Sequence, residues 1–157
     1  MVAPTFRVPP EPESTAGVGS STDAVLPVRR GLFTMGDDPR LLGSECPGCA
    51  ALHFPASDAC PYCGVRPSIE CELPSRGTLW AWTTVHISPP GYRGPVPFGF
   101  GVVELDGRIR VVSRLTETDS DLLRQGQAVH LVLTEVGEEE GMQMVSWAFA
   151  PSGTDHR

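Results

Sequence analysis

Four cysteines fall in two matching pairs, Cys46-Pro-Gly-Cys49 and Cys60-Pro-Tyr-Cys63, with ten residues between them. Each Cys-x-x-Cys turn presents two sulfurs on one side. Two such turns brought together complete a tetrahedron suited to Zn²⁺, at about 2.3 Å per Zn–S bond. A small residue follows each pair, Ala50 and Gly64, where backbone N–H groups must turn toward sulfur to offset the thiolate charge. Four thiolates leave no open coordination position, so the metal is expected to be structural and its binding to supply folding energy. Iron competes for the same cage; redox silence and availability favour zinc. His53, between the pairs, is a weaker substitute ligand, and Cys71 has no spaced partner and reads as a small buried or edge residue.

Other chemistry is sparse. The chain contains no Gly-x-Ser-x-Gly elbow, no Gly-x-Gly-x-x-Gly opening a helix and no His-Glu-x-x-His. His86, Glu104 and His130 are scattered over different segments, and nothing in their spacing brings two together. All 12 basic residues are Arg against 19 acidic ones, a net charge of −7, which excludes Schiff-base and phosphate-loop lysine chemistry and makes a nucleic-acid partner unlikely on charge. No apolar run approaches the about 18 residues of a membrane span, and residues 1–30 lack the pattern of a secretory signal. The expected location is cytoplasmic, where thiols stay reduced and bind metals.

These ligands need a scaffold, and the 157-residue chain, with 17 Gly and 16 Pro, supplies it in turns and strands. Residues 1–28 show no period and read as a disordered tail; 29–45 form a short lead-in or docking segment. Residues 46–72 form the zinc ribbon, too small to fold on apolar burial alone. Residues 73–151 read as five strands, with a helical turn at 118–125 between the third and fourth, and 152–157 as a C-terminal tail. The expected fold is mostly β: a ribbon followed by a five-stranded Greek-key barrel of the OB type. Alternation over 77–87 places Trp80 and Trp82 on one face. The prolines of 88–97 make a loop crowned by Tyr92 and Arg93, which with Trp80 and Trp82 are candidate partner- or coenzyme A-binding residues, since interfaces enrich aromatics and Arg, and residues 137–141 make an acidic turn. Asp106-Gly107, read as a two-residue hairpin turn, places Gly99 and Gly101 opposite Arg114 and Val112, with Arg108 and Arg110 on the same face. That bare, arginine-rich face suits a flat partner or a coenzyme A phosphate; the alternative is a solvated face with paired arginines.

From about Pro39 to Pro151 the chain resembles acyl-CoA-associated proteins that join a rubredoxin-like zinc ribbon to an OB-fold. The likeness runs through Cys46/Cys49, Phe54-Pro55, Cys60-Pro61-x-Cys63-Gly64, Arg76-Gly77-Thr78-Leu79, Pro97-Phe98-Gly99-Phe100 and Val103-Glu104-Leu105. It implies a non-catalytic accessory subunit of thiolase-like enzymes, either condensing enzymes or carbon–carbon lyases, in lipid, polyketide or steroid side-chain metabolism. Acyl-CoA and a hydratase are further partners that it implies. A single-stranded nucleic-acid binder is the reading from a different class, since ribbons and OB-folds also serve there with aromatics and Arg. The chain departs from the family in Ala50, where Gly is common after the first pair, and in a short lead-in broken by Pro39.

Overall fold

The computed structural model describes residues 25–92 and 94–153. In chain order the strands are β1 (Val25–Pro27), β2 (Leu42–Glu45), β3 (Leu52–His53), β4 (Ile69–Glu72) and β5 (Arg76–Val85). They continue with β6 (Phe98–Leu105), β7 (Ile109–Leu115), β8 (Ala128–Glu139) and β9 (Met142–Pro151). Strand β5 pairs with β6 and β8, β6 with β7, β7 in parallel with β9, and β9 with β8, so β5 to β9 close into the expected five-stranded barrel. The helical turn is the 3₁₀ segment Ser120–Leu122; Asp119 caps it by accepting from the Asp121 N–H at 2.9 Å, and Gly126 ends the connection at φ 77°.

The β6–β7 hairpin corrects the expected register. Asp106 and Gly107 both take positive φ, and the Arg108 N–H donates to the Leu105 carbonyl at 3.1 Å, but pairing resumes one residue later, with Leu105 opposite Ile109. The turn therefore holds three residues. Side chains alternate with period two, so this slip inverts the assigned face of β6. Burial decides it: a two-residue turn would leave Val103 and Leu105 outside, whereas the observed register puts both inside with Ile109, Val111 and Leu115. Gly99 and Gly101 consequently face the core and present no bare surface.

A bulge in β5 makes a second correction. Leu79 pairs with Val103 but Ala81 with Val102, so Trp80 is the extra residue and the two tryptophans separate. Trp80 is exposed, while Trp82 packs against the core and donates its indole N–H to the Ser120 carbonyl at 3.2 Å. The acidic turn is also tighter than expected. Strands β8 and β9 pair out to Glu139–Met142, and only Glu140 and Gly141, both at positive φ, form the reversal.

In the ribbon, β2 is the central strand between β3 and β4. Residues 29–45 are thus more than a lead-in, since Leu42–Glu45 belongs to the ribbon sheet and Phe33 is buried beside Leu41. Leu41, Leu52 and Leu73 join Leu79, Leu105 and Phe149 in one continuous core, so ribbon and barrel share their apolar interior. Part of the expected tail is also ordered: β1 runs parallel to β9, pairing Val25 with Gln143 and Pro27 with Val145. Residues 1–24 and 154–157 lie outside the described residues.

Candidate metal centre and docking face

The two cysteine turns are near copies. Ala50 N–H returns to the Cys46 carbonyl at 2.8 Å and Gly64 N–H to that of Cys60 at 2.9 Å, while Cys46 N–H meets Ala51 and Cys60 N–H meets Val65. Reversal after each second cysteine needs positive φ, 56° at Ala50 and 75° at Gly64. The Gly48 N–H donates to Cys46 Sγ at 3.3 Å, an amide aimed at sulfur as the sequence led one to expect.

Across the turns, Cys46 Sγ lies 3.5 Å from Cys63 Sγ and Cys49 Sγ 3.7 Å from Cys60 Sγ, and all four sulfurs fall within 4.8 Å of one another. A tetrahedron with about 2.3 Å metal–sulfur bonds has edges of about 3.8 Å, so the donors fit a single four-coordinate ion. Among themselves the thiols hold protons unevenly. Burial raises Cys60, but the N–H groups of Tyr62 and Cys63 and the neighbouring sulfurs outweigh it and bring it down to about 7. Val65 N–H lowers Cys63, yet Cys46 and Cys49 beside it push it up to about 12. His53 is no ligand: it is buried, with Nε2 3.3 Å from Ser68 Oγ and Nδ1 3.4 Å from Ser57 Oγ. Cys71 is half-buried, and burial, followed by the nearby Glu45, raises its thiol.

The remaining anticipated residues divide. Arg108, the extra residue of the hairpin turn, reaches away from the barrel to the ribbon, donating to Glu45 Oε1 at 2.7 Å and to the Ala50 carbonyl at 2.9 Å. It joins ribbon to barrel next to the first cysteine turn. Arg110 stays on the outer face, 4.3 Å from the Trp80 ring centroid and paired with Glu104 at 2.8 Å. Around it the outer face of β5 to β7 exposes Trp80 (45%), Phe100 (38%) and Val112 (55%), and Ala81, Phe100 and Val102 line a shallow groove of about 210 Å³. Arg114 lies farther along β7 under the proline loop, against Tyr92 and Phe98. Arg93 lies outside the described residues.

Two family models match adjoining stretches, the ChsH2 rubredoxin-like zinc ribbon domain over residues 33–70 and the ChsH2 C-terminal OB-fold domain over residues 70–134. The chain belongs to the ChsH2 family. It is 29% identical over 114 residues to a DUF35 domain-containing scaffold protein of Pyrococcus furiosus, covering 71% of this chain and 83% of that one. A scaffold protein of the same description from Methanocaldococcus jannaschii is 23% identical over 114 residues, covering 71% and 81%. Among solved structures, a chain of the Ltp2-ChsH2(DUF35) aldolase superposes with a TM-score of 0.56 at 25% identity, covering 71% of this chain and 84% of that one.

Two features of this ChsH2-family chain escaped the sequence reading. Trp147 of β9 packs edge-on against Phe54 and tilted against Phe33, both with centroids 5.6 Å apart, which ties the ribbon to the barrel wall. Phe54-Pro55 was visible as part of a motif, but no local pattern could name its partner 93 residues later in the chain. The Arg108–Glu45 pair was hidden behind the hairpin register.

Proposed function

We propose that this chain is a non-catalytic accessory subunit that docks a thiolase-like enzyme acting on acyl-CoA substrates in lipid or steroid side-chain metabolism. The observation that carries this reading is the superposition, across both ribbon and barrel, on a chain of the Ltp2-ChsH2(DUF35) aldolase. The scaffold descriptions of the archaeal relatives support the same role. In this reading the four cysteines hold structural zinc, the complex is cytoplasmic, and the ribbon braces the barrel through Arg108 and Trp147.

The docking face is the outer surface of β5 to β7. Interface centres favour exposed aromatics and Arg in apolar surroundings, and Trp80, Phe100, Val112 and Arg110 provide that combination on one sheet face. A nucleic-acid partner is the poorer fit. The cleft of about 600 Å³ between the proline loop and the β8–β9 hairpin, framed by two loops that OB-folds use for oligonucleotides, is lined by Glu138 and Glu139 and by no described basic residue.

Co-expression with a thiolase-like partner encoded nearby should yield a stable complex, and the chain alone should turn over no acyl-CoA. Trp80→Ala should weaken the complex by about 2 kcal/mol, roughly 30-fold, as expected of a central interface aromatic, with the fold intact. Acyl-CoA turnover by the isolated chain would overturn the accessory reading; full affinity in the Trp80 variant would move the docking face elsewhere.

A further inference from the structure

Two polar side chains with buried, unmatched atoms face one cavity. Arg114 of β7 lies on the outside of the barrel, beneath the proline-rich loop joining β5 to β6. Its guanidinium carbon is 5.1 Å from the centroid of the Phe98 ring and 5.6 Å from that of Tyr92. Its Nε and Nη1 are shut off from solvent yet have no hydrogen-bond partner among the described residues, and the same holds for Thr134 Oγ1 on β8. Both residues line a cavity of about 250 Å³, walled mainly by apolar groups such as Pro95, Pro97, Phe98 and Ala148, with Thr116 and Thr118 also at its wall.

Stacking over aromatic rings stabilises a guanidinium but leaves its in-plane N–H donors unmet. A buried donor without an acceptor is unfavourable, and more so when charged. Among the described residues no carboxylate meets this one: Glu117, close in sequence, accepts instead from the N–H groups of Thr118 and Asp119. The cavity thus holds a cation, threonine side chains and mainly apolar walls, with no described anion to complete them.

We propose that this cavity is a carboxylate site for a small apolar acid group. The planar guanidinium matches the two oxygens of a carboxylate, the Thr134 hydroxyl donates a further hydrogen bond, and the proline and phenylalanine walls receive the apolar remainder. One guanidinium balances one negative charge. A phosphate dianion would be left half-neutralised in an apolar wall, and a nucleotide is too large for the volume. The occupant is either a free small acid or a carboxylate borne by the docked partner; the chemistry at Arg114 is the same.

The test is calorimetric titration of the full chain with benzoate, with benzamide as its uncharged counterpart and inorganic phosphate at matched ionic strength. Saturable binding is expected for benzoate alone. Arg114→Met should weaken it at least tenfold and Thr134→Val severalfold, while Arg124→Met, an exposed change elsewhere, should leave it unaltered. The shape-conserving Thr134→Val keeps the test decisive if Arg114→Met fails to fold. Repeating the titration on the partner complex separates the sources, because a partner-borne carboxylate excludes benzoate and a free-acid site still admits it. The free-chain measurement stands whether or not the accessory reading does. Absence of saturation with benzoate, equal binding of benzamide or phosphate, or unaltered binding in the Thr134 variant would each overturn the site.

Discussion

Replacing Gly101 by alanine should destabilise the protein far more than a one-carbon change suggests. At this point of β6 the wall of the barrel is narrow. A Cβ on Gly101 would come 2.7 Å from the Ala81 carbonyl oxygen, 3.0 Å from Leu115 Cδ1 and 3.3 Å from Leu79 Cδ1. The first contact is with backbone beside the β5 bulge and cannot be relieved by a rotamer change; the other two are with core side chains. Overpacking of this kind costs about 1–3 kcal/mol, and the rigid carbonyl places Gly101→Ala at the upper end, about 2–3 kcal/mol. That is a large part of the roughly 5–15 kcal/mol stability of a typical domain. Urea unfolding followed by tryptophan fluorescence should show it as a lower midpoint at unchanged slope, with Val112→Ala, on the exposed face, staying within about 0.5 kcal/mol as a control. If Gly101→Ala unfolds with the wild type, Gly101 faces solvent, the hairpin has the two-residue register, and the assignment of inner and outer faces is wrong.

Protein purified without added metal should contain about one zinc per chain by elemental analysis, and Cys60→Ser should lose it. Because Leu41, Leu52 and Leu73 lie in the core shared with the barrel, chelation should lower the melting temperature of the whole chain rather than release the ribbon alone. In the chelated protein, Cys60 should contribute thiolate absorbance near pH 7 and Cys63 only near pH 12. The signs are opposite: the lowered Cys60 stabilises the fold above its unfolded value and loses that as pH falls through 7, while the raised Cys63 stabilises it at lower pH and loses that as pH rises toward 12. Ala50→Gly should stabilise the ribbon by about 1 kcal/mol, read as a higher urea midpoint, by removing a Cβ from the left-handed region.

What the sequence disclosed depended on how local each signal was. The cysteine turns are set by residues three apart and by the small residue after them, so ligand identity and the reversals at Ala50 and Gly64 were legible. The strand order followed from alternation and turn chemistry. Register was not legible, because Asp106-Gly107 serves a two- or a three-residue connection equally well, and only the simultaneous burial of Val103, Leu105, Ile109 and Val111 selects between them. The bulge at Trp80 was hidden for a related reason: two tryptophans at alternate positions satisfy the pattern of an unbroken strand. Arg108 and Trp147 act across the join of ribbon and barrel, over separations that no local pattern spans.

The three-residue strand β1 has a consequence for how the N-terminus should be handled. Parallel contact between β7 and β9 covers only Ala148 and Phe149 of β9, so the stretch Gln143 to Val145 has β8 on one side and β1 on the other. Trimming the chain at residue 28, which an unstructured tail would invite, strips one side of that stretch and bares a row of backbone donors and acceptors. Such a row is a template for another strand, and closed barrels otherwise avoid presenting one. Strand β1 therefore covers a stretch of β9 that would otherwise be open to a strand from a second molecule.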